Sequence, residues 1–232
     1  MKIEVLYPEV GNLFGDLANI SYLEKCTNAD VIYTSLKEAP KFLTEKIDLV
    51  YMGSMMESHQ ELVINALKKY SKEIKKYIKD DNFMLITGNS LEVFGDYIEN
   101  EDGSKIEGLK ILSFNSKRDF SKHHASHLLG EFEGIKIVGH KSQFSHSYNS
   151  NYSFINVING YGFDGNKEGN EGIHENNFYA TYLVGPFLIQ NPLFTEYLLK
   201  EMKVKYELAF KEDIMKSYEI RLNEYTDERM KF

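Results

Sequence analysis

The sequence predicts an α/β fold, with a parallel sheet covered by helices and antiparallel additions in the second half. In residues 1–95, short apolar runs alternate with helix-like segments, which is typical of right-handed βαβ units. In residues 96–178, Gly, Asn, Ser and Tyr are frequent, and short alternating segments indicate hairpins. The 232 residues, 42% of them hydrophobic, are expected to form a single domain over residues 1–232.

Charge and cysteine content limit the class of protein. The net charge of −8 and the pI near 5.4 argue against nucleic acid or an anionic membrane as a partner. The single cysteine, Cys26, excludes an internal disulfide and fits a reducing compartment. No stretch approaches the roughly 20 apolar residues of a membrane span, and the N-terminus lacks a signal-peptide core. We therefore expect a cytoplasmic protein.

The first half of the chain carries the predicted parallel strands and their helices. Apolar runs predict strands at residues 2–8, 29–36, 46–53 and 82–87. Asp16 is placed to cap a first helix. A long helix is predicted over residues 57–81, because apolar residues recur every fourth position with lysines opposite. The recurring residues are Leu62, Ala66, Tyr70, Ile74 and Ile78.

Shorter elements are predicted in the second half. Alternating segments indicate hairpin strands within residues 97–108, 109–114, 133–139 and 153–160. A further strand is expected to end at Gly185-Pro186, and a helix to begin near Pro192. Residues 206–229 predict a final amphipathic helix.

Residues 83–95, "FMLITGNSLEVFG", predict a strand that turns sharply into a helix. Such an elbow commonly presents a nucleophile. In parallel sheets, ligands lie beyond the carboxyl ends of the strands. The loops that follow the first, third and fourth predicted strands would meet the elbow there. We therefore place the candidate site at this edge.

Four segments resemble class I glutamine amidotransferase domains of the cobyric acid synthase type, and in particular the glutaminase subunit of lipid II isoglutaminyl synthase. They are "LYPEVGNLFGDLANI" (6–20), "LVYMGSMMESHQ" (49–60), the elbow, and residues 159–192 with "YLVGPFLIQNP". The resemblance implies a flavodoxin-like glutamine amidotransferase fold. In that family a Cys at the elbow attacks the glutamine amide, a His moves the proton, and backbone amides of a Gly-rich loop hold the oxyanion. The ammonia then passes to a ligase- or synthetase-type partner subunit.

The two residues that carry this chemistry are replaced here. The family pattern Leu-x-x-Cys-Gly-Gly-Tyr-Gln-Leu-Leu-Gly falls on residues 85–95 and puts the nucleophile on Gly88. The family His falls on Val184. Glycine has no side chain to attack with, and valine cannot accept a proton. The sequence therefore predicts no catalytic residue at these positions and no glutaminase activity.

The loops of the cleft differ as well. Ser54 and Met55 replace glycines of the family's oxyanion loop, and Met55 can fill the space of the substrate carbonyl. Asn89 and Ser90 replace the elbow glycines, and Glu92 replaces the Gln. The candidates for lining a ligand cleft are residues of these two loops: Gly53, Ser54, Met55, Thr87, Asn89, Ser90 and Glu92.

Other nucleophiles are weaker candidates. A one-residue slip of the alignment would move Thr87 or Asn89 onto the nucleophile position. Thr87 is a poor nucleophile at neutral pH without the family His as a base. Cys26 lies near the end of the first predicted helix, where a small buried apolar role is the ordinary interpretation.

The histidine-rich stretch has two interpretations. His123, His124, His127, His140 and His146 could ligate a metal if two strands met, but scattered neutral imidazoles are more often surface residues. We favour the surface interpretation and predict no metal site. In the resembling family, this region carries Gly-[Phe/Tyr]-Glu-Asn-His. Lys141 and Ser142 replace its Glu and Asn.

Glu57, His59 and Glu92 could share a cleft and perform acid–base work. We favour a helix N-terminal role for Glu57, where negative charge is stabilised. The Gly-rich residues 160–177 could cradle a phosphate, but their carboxylates repel it, so we predict a hairpin.

The sequence thus predicts a non-catalytic glutamine amidotransferase homologue with no cofactor. It would bind a small ligand at the altered cleft, or act as a regulatory or structural subunit of a ligase- or synthetase-type partner. The alternative is an enzyme of different chemistry that uses Glu92, Thr87, Ser90 or the histidines.

Overall fold

The computed structural model describes residues 1–227. Its strands are β1 (Lys2–Leu6), β2 (Asp30–Thr34), β3 (Leu49–Met52), β4 (Met84–Thr87), β5 (Tyr97–Glu99), β6 (Lys105–Glu107), β7 (Asn115–Arg118), β8 (His124–Phe132), β9 (Ile135–Gln143), β10 (Ser145–Tyr148), β11 (Ile155–Tyr161), β12 (Lys167–Glu171), β13 (Ile173–Glu175) and β14 (Phe178–Thr181). Its α-helices are α1 (Leu17–Thr27), α2 (Glu57–Leu67), α3 (Ser71–Lys79), α4 (Phe187–Gln190), α5 (Pro192–Glu201) and α6 (Lys211–Thr226). Short 3₁₀ segments lie at Lys41–Leu43, Lys68–Tyr70 and Gly88–Phe94.

A six-stranded sheet in the order β13–β14–β4–β3–β1–β2 organises the fold. Its neighbours pair in parallel, except the antiparallel edge pair β13–β14. β3 is buried along its whole length. Val50 and Met52 point into the core shared with α2 and α3, whereas Leu49 and Tyr51 point into the core shared with α1 and α5. The helices therefore cover both faces, which confirms the predicted parallel α/β architecture.

Two four-stranded sheets are added to this core, in the orders β10–β7–β5–β6 and β12–β11–β8–β9. All their pairs are antiparallel except β5–β7. The predicted hairpin 97–108 forms β5 and β6, and the segments 133–139 and 153–160 contribute to β9 and β11. β8 and β9 pack against α6 through Leu129, Val138, Tyr218 and Tyr225. The second half thus supplies the predicted antiparallel additions.

The predicted single helix over residues 57–81 is wrong in its middle. It is broken by the 3₁₀ turn at Lys68–Tyr70, which separates α2 from α3. Leu62 is 52% exposed, and α2 buries Gln60, Val63, Ile64 and Leu67 instead. The other four residues of the predicted face, Ala66, Tyr70, Ile74 and Ile78, do pack against the core, so the predicted face is wrong only at Leu62.

Three further expectations need correction. Residues 109–114 form an irregular segment and not a strand, because the N–H groups of Leu109 and Leu112 donate to the carbonyls of Val93 and Phe94. The strand expected to reach Gly185-Pro186 ends at Thr181, before the cis Gly185–Pro186 bond. The final helix begins at Lys211, and residues 228–229 of the prediction lie outside the described residues. Within residues 1–227, every helix is too short or too polar to cross a membrane.

Candidate functional site

The elbow forms where β4 ends in the middle of the main sheet. Thr87 closes the strand, and the 3₁₀ segment Gly88–Phe94 begins at once. Gly88 has φ +65°, in the left-handed region that a side chain disfavours by about 1–2 kcal/mol. A sharp strand-to-helix turn of this kind is the backbone that presents nucleophiles in other enzymes. The elbow backbone is therefore present, with glycine at its apex.

Ser54 occupies the space beside that apex. It lies in the loop that follows β3, next to the carboxyl end of β4. A Cβ atom placed on Gly88 would overlap the Ser54 Cβ and lie 3.1 Å from its Cα. Contacts that close do not occur between real side chains, so a residue other than glycine requires Ser54 to move. Position 88 is thus closed by its left-handed backbone and by its neighbour.

Asp16 holds Ser54 in place. The Ser54 hydroxyl donates to Asp16 Oδ2 at 2.6 Å, and the Thr87 hydroxyl donates to Asp16 Oδ1 at 3.0 Å. The Asp16 carboxylate is fully buried and also accepts the Phe14 N–H at 3.1 Å. Hydrogen bonds of this number stabilise a buried carboxylate. Asp16 stands at the predicted N-cap position of α1, but its side chain makes no cap hydrogen bond and is engaged in this network instead.

Thr87, the weak nucleophile candidate, belongs to the same buried network. Its hydroxyl lies 2.8 Å from the Tyr51 hydroxyl, which in turn accepts from Asn19 Nδ2 at 2.9 Å. Burial raises the pKa of Tyr51 well above its usual range, so the phenol stays protonated. The Thr87 proton is directed to the Asp16 carboxylate in this arrangement. Neither the protonated Tyr51 hydroxyl nor the Asp16 carboxylate, which already accepts several hydrogen bonds, is an effective base for activating the Thr87 hydroxyl as a nucleophile.

The loop that would hold an oxyanion is occupied by a side chain of the elbow. The Met55 N–H donates to Asn89 Oδ1 at 3.0 Å, and Asn89 Nδ2 donates to the Met55 carbonyl at 2.7 Å. The Ser90 hydroxyl donates to the Gly53 carbonyl. An oxyanion hole needs free donors aimed at the reacting oxygen. Here the Met55 amide is used to tie the two loops together.

Val184 lies at the far side of the same cleft. It follows β14, is buried, and its N–H donates to the His140 carbonyl at 3.1 Å. Together with Met55 it gives the cleft an apolar wall. The cavity left between these groups measures about 60 Å³, well below the roughly 300–1,000 Å³ of typical ligand sites. Its lining comprises Leu13, Phe14, Ser54, Met55, Glu57, Asn89, His123, Ser142, Phe144 and Val184.

Glu92 points away from this cavity, into a second buried polar network. Its Oε1 accepts from the hydroxyls of Ser145 and Tyr182, and its Oε2 accepts from Gln60 Nε2 at 2.9 Å. Burial raises the pKa of Glu92 above its ordinary value, partly offset by these hydrogen bonds. Arg118 continues the network, donating to Gln60 Oε1 at 2.5 Å. Glu92 therefore links the elbow to the added sheet and does not line the cavity.

Lys141, on β9 of the added sheet, forms a fully buried ion pair with Glu171. The Lys141 ammonium also donates to the Gly162 carbonyl at 2.8 Å. Glu171 Oε1 accepts from the Thr181 hydroxyl at 3.0 Å and from the Tyr182 N–H at 2.7 Å. The pair thus joins β9 and β12 to the end of β14. Its buried partners satisfy both charges.

The histidines lie on β8, β9 and β10 or beside them, and not on a helix. His127 stands opposite His140 in the β8–β9 register, and the rings of His124 and His146 are 5.0 Å apart. Burial, with the positive charges of nearby groups, lowers the pKa of His124 to about 4. Within residues 1–227 there is no group of three His, Cys, Asp or Glu side chains arranged to hold a metal ion. His123 reaches the cavity wall and bonds to Ser142 at 2.9 Å.

The sequence-predicted cleft residues are therefore split by the fold. Ser54, Met55 and Asn89 line the small cavity, whereas Thr87 and Ser90 are buried behind it. Sequence reasoning missed Asp16 as the centre of the elbow network. Its signal was the "FGD" of the opening motif, which resembles the family's Tyr-Gly-Asp.

Fold and elbow together define a glutamine amidotransferase scaffold, and the comparisons agree. A crystal structure of a glutamine amidotransferase has a TM-score of 0.59 at 12% identity, covering 87% of this chain and 99% of that one. A glutamine amidotransferase from Thermotoga maritima has a TM-score of 0.53 at 14% identity, covering 97% and 91%. Residues 2–192 match the CobB/CobQ-like glutamine amidotransferase domain, and the chain belongs to this family.

Two relatives share a function in their names. The chain is 28% identical over 193 residues to lipid II isoglutaminyl synthase (glutamine-hydrolyzing) subunit GatD of Staphylococcus aureus (strain N315), covering 82% of this chain and 79% of that protein. It is 26% identical over 255 residues to the corresponding subunit of Streptococcus pneumoniae (strain ATCC BAA-255 / R6), covering 100% and 92%. In each comparison, the similarity therefore extends over most of this chain and most of the relative.

Proposed function

We propose that this chain is a glutamine amidotransferase-like subunit without glutaminase activity, which serves a synthetase-type partner in a structural or regulatory role. The observation that carries the proposal is the closed elbow, where Gly88 has no side chain and Ser54 fills the space for one. A thiol nucleophile needs that space and a base in hydrogen-bond reach. Val184, at the family base position, supplies no proton acceptor.

The cysteine of the chain does not replace the missing nucleophile. Cys26 is buried in the core that lies against α1 and α5, on the other face of the sheet from Met55. Its sulfur accepts a hydrogen bond from the Ala209 N–H at 3.4 Å. A buried thiol without a basic neighbour is an inert packing group. Cys26 therefore supports the scaffold and not catalysis.

The synthetase-type partner follows from the relatives. Both named relatives are subunits of lipid II isoglutaminyl synthase, so their scaffold operates inside an assembly. The matching scaffold here retains the family fold over residues 2–192. A cavity of about 60 Å³ at the elbow leaves too little room for a glutamine-sized ligand, which favours a subunit role over ligand binding in that cleft. We also infer a cytoplasmic location, consistent with the single unpaired cysteine.

Ammonia release from glutamine tests the proposal. The full chain is incubated with glutamine, with an active glutaminase subunit as the positive control, and ammonia is quantified. We expect no release above the rate without protein. Turnover that disappears in Thr87→Val would contradict the proposal and identify Thr87 as the nucleophile. Co-purification from native cells, with a ligase- or synthetase-type chain in equal molar amount, tests the partner role separately.

An enzyme of different chemistry is the competing interpretation. It needs a reactive group facing the cavity, yet Glu92 and Ser90 donate or accept within buried networks. Glu57 lines the cavity, and His123 lies on its wall. Because the cavity volume is small, substrates for these groups would have to bind at its mouth. Nothing in this geometry favours that reaction over the subunit role.

A further inference from the structure

A larger cavity lies between α1, α4 and the start of α6. Its volume is about 500 Å³, within the roughly 300–1,000 Å³ of small-molecule sites. It shares no lining residue with the cavity at the elbow. The two cavities are therefore separate sites.

The floor of this cavity is apolar. Tyr22 and Ile214 are buried there, and Ile189 is partly buried beside them. The Tyr22 hydroxyl lies beside the Cys26 thiol, and within residues 1–227 it has no oxygen or nitrogen hydrogen-bond partner. Burial raises the pKa of Tyr22 above its usual range, so the phenol remains a neutral donor. The floor thus offers apolar surface, and the Tyr22 hydroxyl is directed to the Cys26 thiol.

The rim of the cavity is polar and positively charged. Ser21 and Lys25 are exposed and lie one turn apart on α1, so the hydroxyl and the ammonium stand on one ridge of the helix. Lys25 has no carboxylate partner within the described chain, and its ammonium lies 5.9 Å from the centre of the Phe210 ring. An unpaired cation at the edge of an apolar cavity favours an anion with an apolar body.

Phe210 closes one side of the rim in an unusual conformation. It is 63% exposed and has φ +54°, where a bulky residue is disfavoured by about 1–2 kcal/mol. The exposed ring therefore offers apolar surface at the edge of the cavity. A ligand between Phe210 and α1 would cover the ring.

We propose that this cavity binds a small amphipathic monocarboxylate, with its alkyl or aryl body on the floor and its carboxylate on the Lys25 ammonium. The apolar body replaces water on Tyr22, Ile189 and Ile214. The carboxylate accepts hydrogen bonds from Lys25 and Ser21 at the rim. Because Asn12 and Gly15 also line the cavity, the ligand contacts the loop that leads to Asp16.

Calorimetric titration of the full chain with decanoate, decanol and decyltrimethylammonium near neutral pH tests the site. We expect decanoate to bind about 2- to 5-fold more tightly than decanol, which is the gain in affinity that one exposed ion pair gives. The ammonium compound should bind more weakly than both. Each methylene added to a shorter carboxylate should tighten binding about fourfold until the cavity is filled. Equal binding of the three compounds, or no binding of decanoate, overturns the proposal.

Three variants locate the binding. Lys25→Met should lower decanoate affinity to that of decanol and leave decanol unchanged, whereas Lys72→Met, on the exposed face of α3, should change neither. Ser21→Phe projects a ring from an exposed position across the cavity and should weaken both ligands at least about tenfold, since it displaces the buried body. Unchanged decanoate binding by Lys25→Met or by Ser21→Phe places the ligand elsewhere and refutes the site.

Discussion

The closed elbow predicts a specific energetic coupling between Gly88 and Ser54. The perturbation is Gly88→Ala, which adds a single Cβ atom. That atom costs about 1–2 kcal/mol for the left-handed backbone, and overlap with a packed neighbour costs about 1–3 kcal/mol more. Because the new Cβ would overlap the Ser54 Cβ and lie 3.1 Å from its Cα, both terms apply. We expect a loss of about 2–5 kcal/mol in unfolding free energy.

Two companion variants separate the terms. Gly103 has φ +81°, and a Cβ atom built on it has no other atom within 4 Å. Gly103→Ala should therefore lower the unfolding free energy only by the backbone contribution, about 1–2 kcal/mol. Ser54→Gly removes the overlapping side chain. In the double variant Gly88→Ala with Ser54→Gly, the overlap is relieved, and the coupling energy of the double-mutant cycle should be about 1–3 kcal/mol.

Urea unfolding of the wild type and the variants measures these quantities. Equal losses for Gly88→Ala and Gly103→Ala, with additive effects of Gly88→Ala and Ser54→Gly, would refute the overlap and reopen the elbow to a side chain. The slope of the urea transition should stay constant across the set, because none of the changes alters the surface exposed on unfolding.

Three further measurements test the networks around the elbow. The unfolding free energies of the wild type and of Glu92→Gln should be compared as a function of pH. As pH rises from the ordinary pKa of a glutamate to the raised pKa of Glu92, the wild type should lose about 1 kcal/mol per pH unit relative to the variant, because folded Glu92 keeps its proton to higher pH than unfolded Glu92. A difference that does not change with pH would contradict this. By urea unfolding, Lys141→Met should lower the unfolding free energy by about 3–5 kcal/mol, because it leaves the Glu171 carboxylate buried and unpaired. The double variant Lys141→Met with Glu171→Met should lose clearly less, and additive losses would contradict the buried pair. The His124 ring should titrate near pH 4 by NMR, and a midpoint above pH 6 would show that it is not desolvated.

The strands and the elbow could be predicted from sequence because their signals are local. Buried parallel strands read as continuous apolar runs, and the turn after β4 carries a glycine where the backbone is left-handed. The break at Lys68–Tyr70 could not be predicted in this way. Its residues are ordinary helix formers, so nothing in the local sequence marks the turn.

The role of Asp16 could not be predicted because it depends on close approaches between distant segments. A Cβ built on Gly53 would come within 2.5 Å of the Asp16 Cβ, so only glycine there lets the first loop reach the elbow. From the sequence, an Asp directly before a helix predicts an N-cap. The carboxylate instead accepts hydrogen bonds from the hydroxyls of Ser54, in the loop after β3, and Thr87, at the end of β4, which are 38 and 71 positions away.

The buried ion pair of Lys141 and Glu171 could be predicted only in part from the sequence. Lys141 lies on β9, and the neighbouring positions on its face of the strand, Gly139 and Gln143, are buried. A lysine on a buried strand face needs a carboxylate partner, and Glu171 was assigned to a solvated hairpin.

The proposed loss of glutaminase chemistry involves more than the nucleophile. If only the nucleophile had changed, the elbow would keep an open space beside Gly88 and a free amide at Met55. Instead Ser54 fills the space, Asp16 fixes Ser54, and Asn89 occupies the Met55 amide. These contacts stabilise the loops that a glutaminase must keep available for substrate. Gly88→Cys with Ser54→Gly should therefore present a thiol and still release no ammonia, because Val184 and the occupied amide remain.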